Sequence, residues 1–328
     1  MRHSVHKILT SVRIDQEPRW ERETIQISPQ MFGGYLGTFL HAIRLALIWR
    51  SSDAVVSGNI RAVAMYGFVK RLHPFWKPKL ISLETRFDDP MDGITWKMKL
   101  LFQRFAFKSV DVICVSARRE IPLYSERLKL SHSRFRFVPW HTNVIEPSCE
   151  LDDGDYIFAA GRTGRDWLTL AEVTKRTSAT FVIVMSAKDL RAASFPENVK
   201  IRTDIAYSEY RELLRNARIV VVPLEVHSYS SGQVALLEAM ALGKPVICTQ
   251  ALGTEDYVEH GKTGLLVPPS DVDAMLAAIA HLENRQVAQR LGENALRKVL
   301  LDHTFSRYVD RIIRVARDNS SSSDLLKI

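Results

Sequence analysis

Residues 219–249 read IVVVPLEVHSYSSGQVALLEAMALGKPVICT. The opening Ile219-Val220-Val221-Val222 is a β-branched run closed by Pro223, the pattern of a strand buried on both faces. A polar loop with Ser228, Ser230, Ser231 and Gly232 follows, then a run of strong helix formers from Gln233 to Leu242. Gly243 stops that helix, and Lys244-Pro245 launches the next buried strand, Pro245–Thr249. Strand, loop, helix and strand together predict a parallel sheet covered by helices. Such a loop delivers backbone N–H groups and the positive end of a helix dipole to one point, an anion site that suits phosphate. Taken alone, the Ser230-Ser231-Gly232 loop reads more simply as a helix cap, with Glu238 a solvated helix residue.

The same alternation extends to both ends of the chain. Short apolar segments predict strands at Ala54–Ser57, Lys79–Leu83, Val110–Ser116 and Phe135–Pro139. In the second half they recur at Tyr156–Ala160, Phe181–Met185, Val199–Arg202 and Gly264–Val267. Helical stretches such as Asp166–Arg176 and Ser208–Ala217 lie between them. A polar, turn-rich segment, IEPSCELDDGD at 145–155, marks the boundary between two domains, and NSSSSD at 319–324 marks a low-complexity tail. The length of 328 residues, 46% of them apolar, suffices for two cores.

The excess charge is confined to the first part of the chain. Residues 1–150 hold 23 Lys and Arg against 14 Asp and Glu, and residues 151–328 hold 22 against 23. A local positive field of this kind attracts anions, lipid head groups included. It is not accompanied by a helix-turn-helix, zinc or single-strand-binding motif, so nucleic acid is not an expected partner. Cys114, Cys149 and Cys248 are far apart, odd in number and without metal spacing, which fits a reducing, cytoplasmic setting.

LLEAMALGKPVI at 236–247, followed by EDYVEHGKTGLLVPPSD at 255–271, resembles the C-terminal signature of glycosyltransferase family 4 and its group 1 relatives. The resemblance implies an α/β protein of the GT-B fold, two Rossmann-like domains with parallel sheets facing a central cleft. It implies residues 1–148 as an acceptor domain and 149–304 as a nucleotide-sugar domain. Residues 305–318 would then be a helix crossing back to the first domain, and 319–328 a mobile tail. It further implies a retaining, metal-independent transfer of a hexosyl-type sugar from a nucleotide diphosphate sugar to a glycan or lipid-linked acceptor, with no other cofactor. By the same resemblance Glu238 would read the ribose hydroxyls. Ser230, Ser231, Gly232, Gln233 and His227 would surround the donor, with Ser230 standing where the family often has a glutamate.

AAGRTGRDWLTL at 159–170 is the second matching stretch, a strand ending at Gly161 and a helix beginning near Asp166. The family's basic residues here imply that Arg162 and Arg165 face the donor diphosphate, where fixed guanidinium groups stabilise the charge of the departing group. In the first half, ISLETRFDD at 81–89 occupies the place of a family histidine and offers Glu84 as the catalytic candidate. His141, in VPWHTN, is a further histidine placed after a strand. The stretch before Asp53 is short for the family's opening strand, glycine turn and long helix, so the first domain is expected to be shortened, with Gly33-Gly34 a faint echo of that turn. A sugar-nucleotide epimerase of the same fold and a non-catalytic nucleotide-sugar binding protein are alternative readings.

KMKLLFQRFAFK at 97–108 sets Lys97, Arg104 and Lys108 on one helical stripe beside an apolar arc of Met98, Leu101, Phe102 and Phe105. The arc is expected to pack on the sheet. The basic stripe is left for water or an anionic membrane surface, which would place the protein peripherally on a membrane. Pro74-Phe75-Trp76-Lys77-Pro78-Lys79 adds aromatic and basic residues to the same half.

Overall fold

Ala54, Val55 and Val56, bounded by Asp53 and by Gly58-Asn59, make Ala54–Ser57 a strand that is buried throughout, and it lies inside a parallel sheet. The computed structural model describes residues 8–12, 17–27, 34–48, 52–73, 78–149, 154–191 and 193–318. Gly33, residues 74–77 and the serine-rich tail lie outside the described residues. The chain divides into two units, Met1–Pro139 with Tyr308–Ile328, and Trp140–Arg307.

In the first unit the strands are β1 (Ile8–Thr10), β2 (Thr24–Gln26), β3 (Ala54–Ser57), β4 (Lys79–Ser82), β5 (Val112–Val115) and β6 (Phe135–Phe137). All pair in parallel, in the order β2-β1-β3-β4-β5-β6. The helices are α1 (Pro18–Glu23), α2 (Gly34–Ile48), α3 (Ile60–Leu72), α4 (Ile94–Phe107) and α5 (Glu120–Leu128). Asn59 starts α3 by accepting from the N–H groups of Arg61 and Ala62. Gly67 lets α3 lie close on α4, since a Cβ there would fall 2.4 Å from the Ala106 carbonyl oxygen. Val55, Leu80 and Ile113 of the sheet and Tyr66, Phe87, Phe107 and Tyr124 around it form the core. β1 and β2 are not apparent in the sequence, because three residues are too few to show a period. With β1, β2 and α2 in place, this unit has an opening strand and a long helix ahead of Asp53. Among the described residues its sheet has as many strands as the second unit's, six in each.

The second unit repeats the plan with β7 (Tyr156–Gly161), β8 (Thr180–Met185), β9 (Val199–Thr203), β10 (Ile219–Val222), β11 (Val246–Thr249) and β12 (Leu265–Val267). Its helices are α6 (Trp167–Lys175), α7 (Tyr207–Arg215), α8 (Gln233–Ala241), α9 (Val272–Leu282) and α10 (Arg285–Asp302). The strand order is β12-β11-β10-β7-β8-β9. The chain therefore moves outward from β7 through β8 and β9, then returns to place β10 on the other side of β7. Ile219 pairs with Ile157 and Val221 with Ala159. In an open parallel sheet that reversal opens a crevice at the carboxyl ends of the two strands, where ligands bind. Gly292 of α10 sits directly on the α8 terminus, its Cβ position 1.9 Å from the Gly243 carbonyl oxygen. The final helix, α11 (Phe305–Arg317), belongs to the first unit from Tyr308 onward.

α4 departs from expectation. Its buried side chains are Gln103, Ala106 and Phe107, while Met98, Leu101 and Phe105 of the apolar arc are exposed. Phe102, of the same arc, packs against the core instead.

Candidate functional site

The loops that follow β7 and β10 are bound together at the switch point. Arg165 and Leu224 form an antiparallel bridge, Asp166 N–H donates to the Pro223 carbonyl at 3.2 Å, and Glu225 N–H donates to the Gly164 carbonyl at 3.1 Å. The Leu224 N–H is itself held by the buried Thr249 hydroxyl at 3.0 Å. Two glycines make this possible. Gly161 has φ +153°, and a Cβ on it would strike the Arg165 guanidinium at 2.2 Å. Gly164 has φ +60° and lies against Ser231 and His227, with its Cβ position 3.1 Å from Ser231 Oγ and 3.2 Å from His227 Nε2. The sequence-selected residues Gly161, Gly164's neighbours His227 and Ser231, and the arginine loop are thus brought to one place.

Gly232 is the N-cap of α8, at φ +89°, and the helix start has no side-chain cap. The N-cap position is thus a glycine rather than a serine, and the first turn of α8 lies at the positive end of the dipole. Ser230 and Gln233 are buried beside it. His227 stacks on Tyr229 with ring centroids 4.7 Å apart and meets Glu225 at 3.1 Å.

The two arginines differ. Arg162 is exposed and makes no hydrogen bond or ion pair among the described residues. Arg165, expected to share the diphosphate, is only 8% exposed and turned back on its own loop. Its Nε donates to the Ala160 carbonyl and its Nη1 to the Thr163 carbonyl, each at 2.9 Å. Burial lowers its pKa. Arg165 is a brace for the loop that carries Arg162, and only its Nη2 is left without a partner among the described residues.

Glu238 is not solvated: it is 1% exposed, within α8. Oε1 accepts from the Tyr207 hydroxyl at 2.8 Å and from Asn143 Nδ2 at 3.0 Å, and Oε2 accepts from the Tyr210 hydroxyl at 2.8 Å. A carboxylate has about four lone-pair positions. Most of Glu238's acceptor capacity is thus already in use. Burial, then the charge of Glu238, raises the pKa of both tyrosines, so both stay protonated donors. The sequence reading missed Tyr207, Tyr210 and Asn143. The signal was an i, i+3 pair of tyrosines at the start of α7, which places both rings on one face.

His141 makes its Nδ1 contact to the Thr142 carbonyl at 3.0 Å and packs edge-on against Phe305 at 4.7 Å, and burial lowers its pKa. In the first unit, Glu84 sits at φ +52°, accepts the Tyr308 hydroxyl and faces Gly58. Burial raises its pKa, and the Tyr308 hydrogen bond opposes that shift. Of the membrane candidates, Lys97 and Lys108 are exposed, whereas Arg104 is partly buried with its Nε on the Arg127 carbonyl at 2.8 Å.

Residues 163–285 match the family model for glycosyl transferases group 1. D-rhamnosyltransferase WbpZ of Pseudomonas aeruginosa is 31% identical over 123 residues, 35% of this chain and 32% of that protein. The chain thus spans about a third or less of the length of the curated relatives it first matches. Sucrose-phosphate synthase from Thermosynechococcus elongatus superposes with a TM-score of 0.70 at 16% identity, over 95% of this chain and 88% of that one. Anabaena HepE in complex with UDP gives 0.68 at 12% identity, over 90% and 86%. Residues 163–285 are thus similar to the group 1 glycosyl transferases, and the two parallel sheets are those of the GT-B fold.

Proposed function

We propose that the chain is a hexosyl-type transferase that moves a sugar from a nucleotide diphosphate sugar to a glycan or lipid-linked acceptor, with retention and without a metal. The observation that carries this is the joining of the Gly161–Asp166 and Pro223–Gly232 loops over the start of α8, whose N-cap is Gly232. HepE was solved with UDP. A nucleoside diphosphate suits the present arrangement chemically: phosphate oxygens on the α8 N–H groups and Arg162, ribose hydroxyls toward Glu238. A ribose hydroxyl would take the place of Tyr207, whose side chain is 51% exposed, as a donor to Oε1.

In the transfer, the bond from the anomeric carbon to the diphosphate oxygen breaks with its electron pair going to that oxygen, and the acceptor oxygen takes its place on the same face, its proton passing to the departing diphosphate. Negative charge grows on the departing diphosphate. Arg162, Arg165 Nη2 and the α8 dipole supply fixed positive charge for it, an interaction that strengthens toward the transition state. Glu84 is the candidate for orienting the acceptor hydroxyl.

The test is a thermal-shift series with UDP, GDP, dTDP and their common sugars, followed by turnover of any donor that binds. A ligand of the native state raises the melting temperature by mass action. Stabilisation by one nucleoside diphosphate, with sugar transferred only when acceptor is added, is the expected result. Turnover of the donor sugar without acceptor would favour an epimerase, and binding without any turnover a non-catalytic protein.

A further inference from the structure

The outer side of α4 carries Ile94, Met98, Leu101 and Phe105 at spacings of four, three and four, a single row along the helix. Ile94 and Leu101 are each 70% exposed and Met98 is 65% exposed. Met91, just ahead of the helix, is exposed as well. A contiguous apolar row in water marks a surface that meets something.

The charges beside the row identify the partner. Lys97, Arg104 and Lys108 run along one edge of it, and Arg71 of α3 lies over the Phe105 ring at 4.8 Å. The helix sequence, ITWKMKLLFQRFAF, contains no carboxylate. Of the carboxylates close by, Asp88 is paired with Lys99 at 2.9 Å, and Asp92 precedes the helix. An apolar row rimmed by cations suits an anionic bilayer surface, with the row at the acyl boundary and the ammonium groups among phosphates. A second copy of the chain fits poorly, because a two-fold contact along this row would set the basic edges of two copies against each other. Among the described residues no helix is long and apolar enough to cross a membrane, so the contact is one of lying on the surface.

We propose that α4 is a membrane-docking helix, inserting Ile94, Met98, Leu101 and Phe105 into the interface of an anionic bilayer with Lys97 and Lys108 on its head groups. This does not depend on the donor reading. It differs from a purely electrostatic contact in one measurable respect. Salt screens head-group attraction within a few ångströms, yet leaves buried apolar area nearly untouched.

The full chain is floated with vesicles of phosphatidylglycerol and phosphatidylcholine, and with phosphatidylcholine alone, at low salt and at about 0.5 M salt. Wild type is expected to float with the anionic vesicles and to retain part of that binding at high salt. The combined Ile94→Ser, Met98→Ser, Leu101→Ser variant should lose about tenfold or more of the bound fraction at both salt levels. The Lys97→Glu, Lys108→Glu variant should fall to the level seen with phosphatidylcholine alone. Both variants should keep the wild-type melting temperature, since the altered side chains face solvent, and Leu101→Glu alone provides a milder version of the same test. Wild type that does not float with anionic vesicles at low salt, or a serine variant that floats like wild type, overturns the proposal. So does a serine variant that melts well below wild type or that converts a dimer to a monomer, because the row would then be covered by protein.

Discussion

Tyr207 donates its hydroxyl to Glu238 Oε1 at 2.8 Å while half of its own side chain stands in solvent. Tyr210, from the next turn, donates to Oε2 at the same distance and is partly buried, packed against the core. The two tyrosines therefore play unequal parts in fixing one carboxylate.

If a ribose hydroxyl displaces Tyr207, then Tyr207→Phe should leave nucleotide affinity within about twofold of wild type, since the lost bond is one the ligand replaces. Tyr210→Phe should weaken it by about five- to tenfold, the equivalent of about 1 kcal/mol, because Oε2 loses its donor. Glu238→Ala should weaken it more than either. Calorimetric titration with the nucleoside diphosphate that stabilises the protein checks the order, and equal losses for the two tyrosines would contradict it.

Arg162 and Arg165 should separate in function and stability. Arg162→Ala should lower kcat by about 100-fold with a smaller effect on donor binding, the mark of an interaction that forms chiefly in the transition state. Arg165→Ala should lower stability by about 2 kcal/mol, because the carbonyls of Ala160 and Thr163 lose the buried guanidinium that joins them. Steady-state kinetics and denaturant melts of the two variants make the comparison. Wild-type turnover should persist in excess chelator, the positive charge on the diphosphate being supplied by arginine and the α8 terminus.

Gly232 and Gly261 offer a matched pair for the loop at α8. Both have positive φ, +89° and +73°, but a Cβ at 232 would sit 2.9 Å from Leu224 Cδ2, whereas at 261 nothing lies within 4 Å. Gly261→Ala should cost about 1 kcal/mol from backbone strain alone, and Gly232→Ala about 1–3 kcal/mol more from the collision. Urea melts of both variants, with a nucleotide shift for each, would show whether the donor loop moves with Leu224.

Glu84 ties stability to pH. Its folded pKa lies above the ordinary carboxylate value, chiefly through burial, so the folded state holds the proton more tightly than the unfolded one. Between the ordinary value and the raised one, stability falls as pH rises, and above that window the full cost of the buried charge remains. Glu84→Gln keeps an acceptor for Tyr308 and removes the charge. It should raise the melting temperature at pH 7 and show a smaller gain near pH 4. A loss of turnover in the same variant, with donor affinity unchanged, would support the acceptor role.

Residue chemistry alone marked the strands of the second unit to within one residue. Its central strands β10 and β11 are rich in β-branched residues and buried throughout, and its turns use glycines whose positive φ few other residues tolerate, so local chemistry and tertiary structure agree there. Gly161, Gly232 and Gly243 were all legible in this way, as was the helix from Gln233. The first unit's opening strands were not, because Ile8–Thr10 and Thr24–Gln26 are too short to carry a period and exist only through pairing with β3 and with each other. Tertiary structure alone decided which arginine is a brace and which is exposed, since the direction of a long side chain depends on the carbonyls that surround it. It also decided that Glu238 is held by Tyr207, Tyr210 and Asn143, residues as many as 95 positions away in the chain. And it turned Met98 and Leu101 of α4 outward while Phe102 packs on the core: an amphipathic period tells that one side of a helix differs from the other, but which side is buried depends on the neighbours it meets.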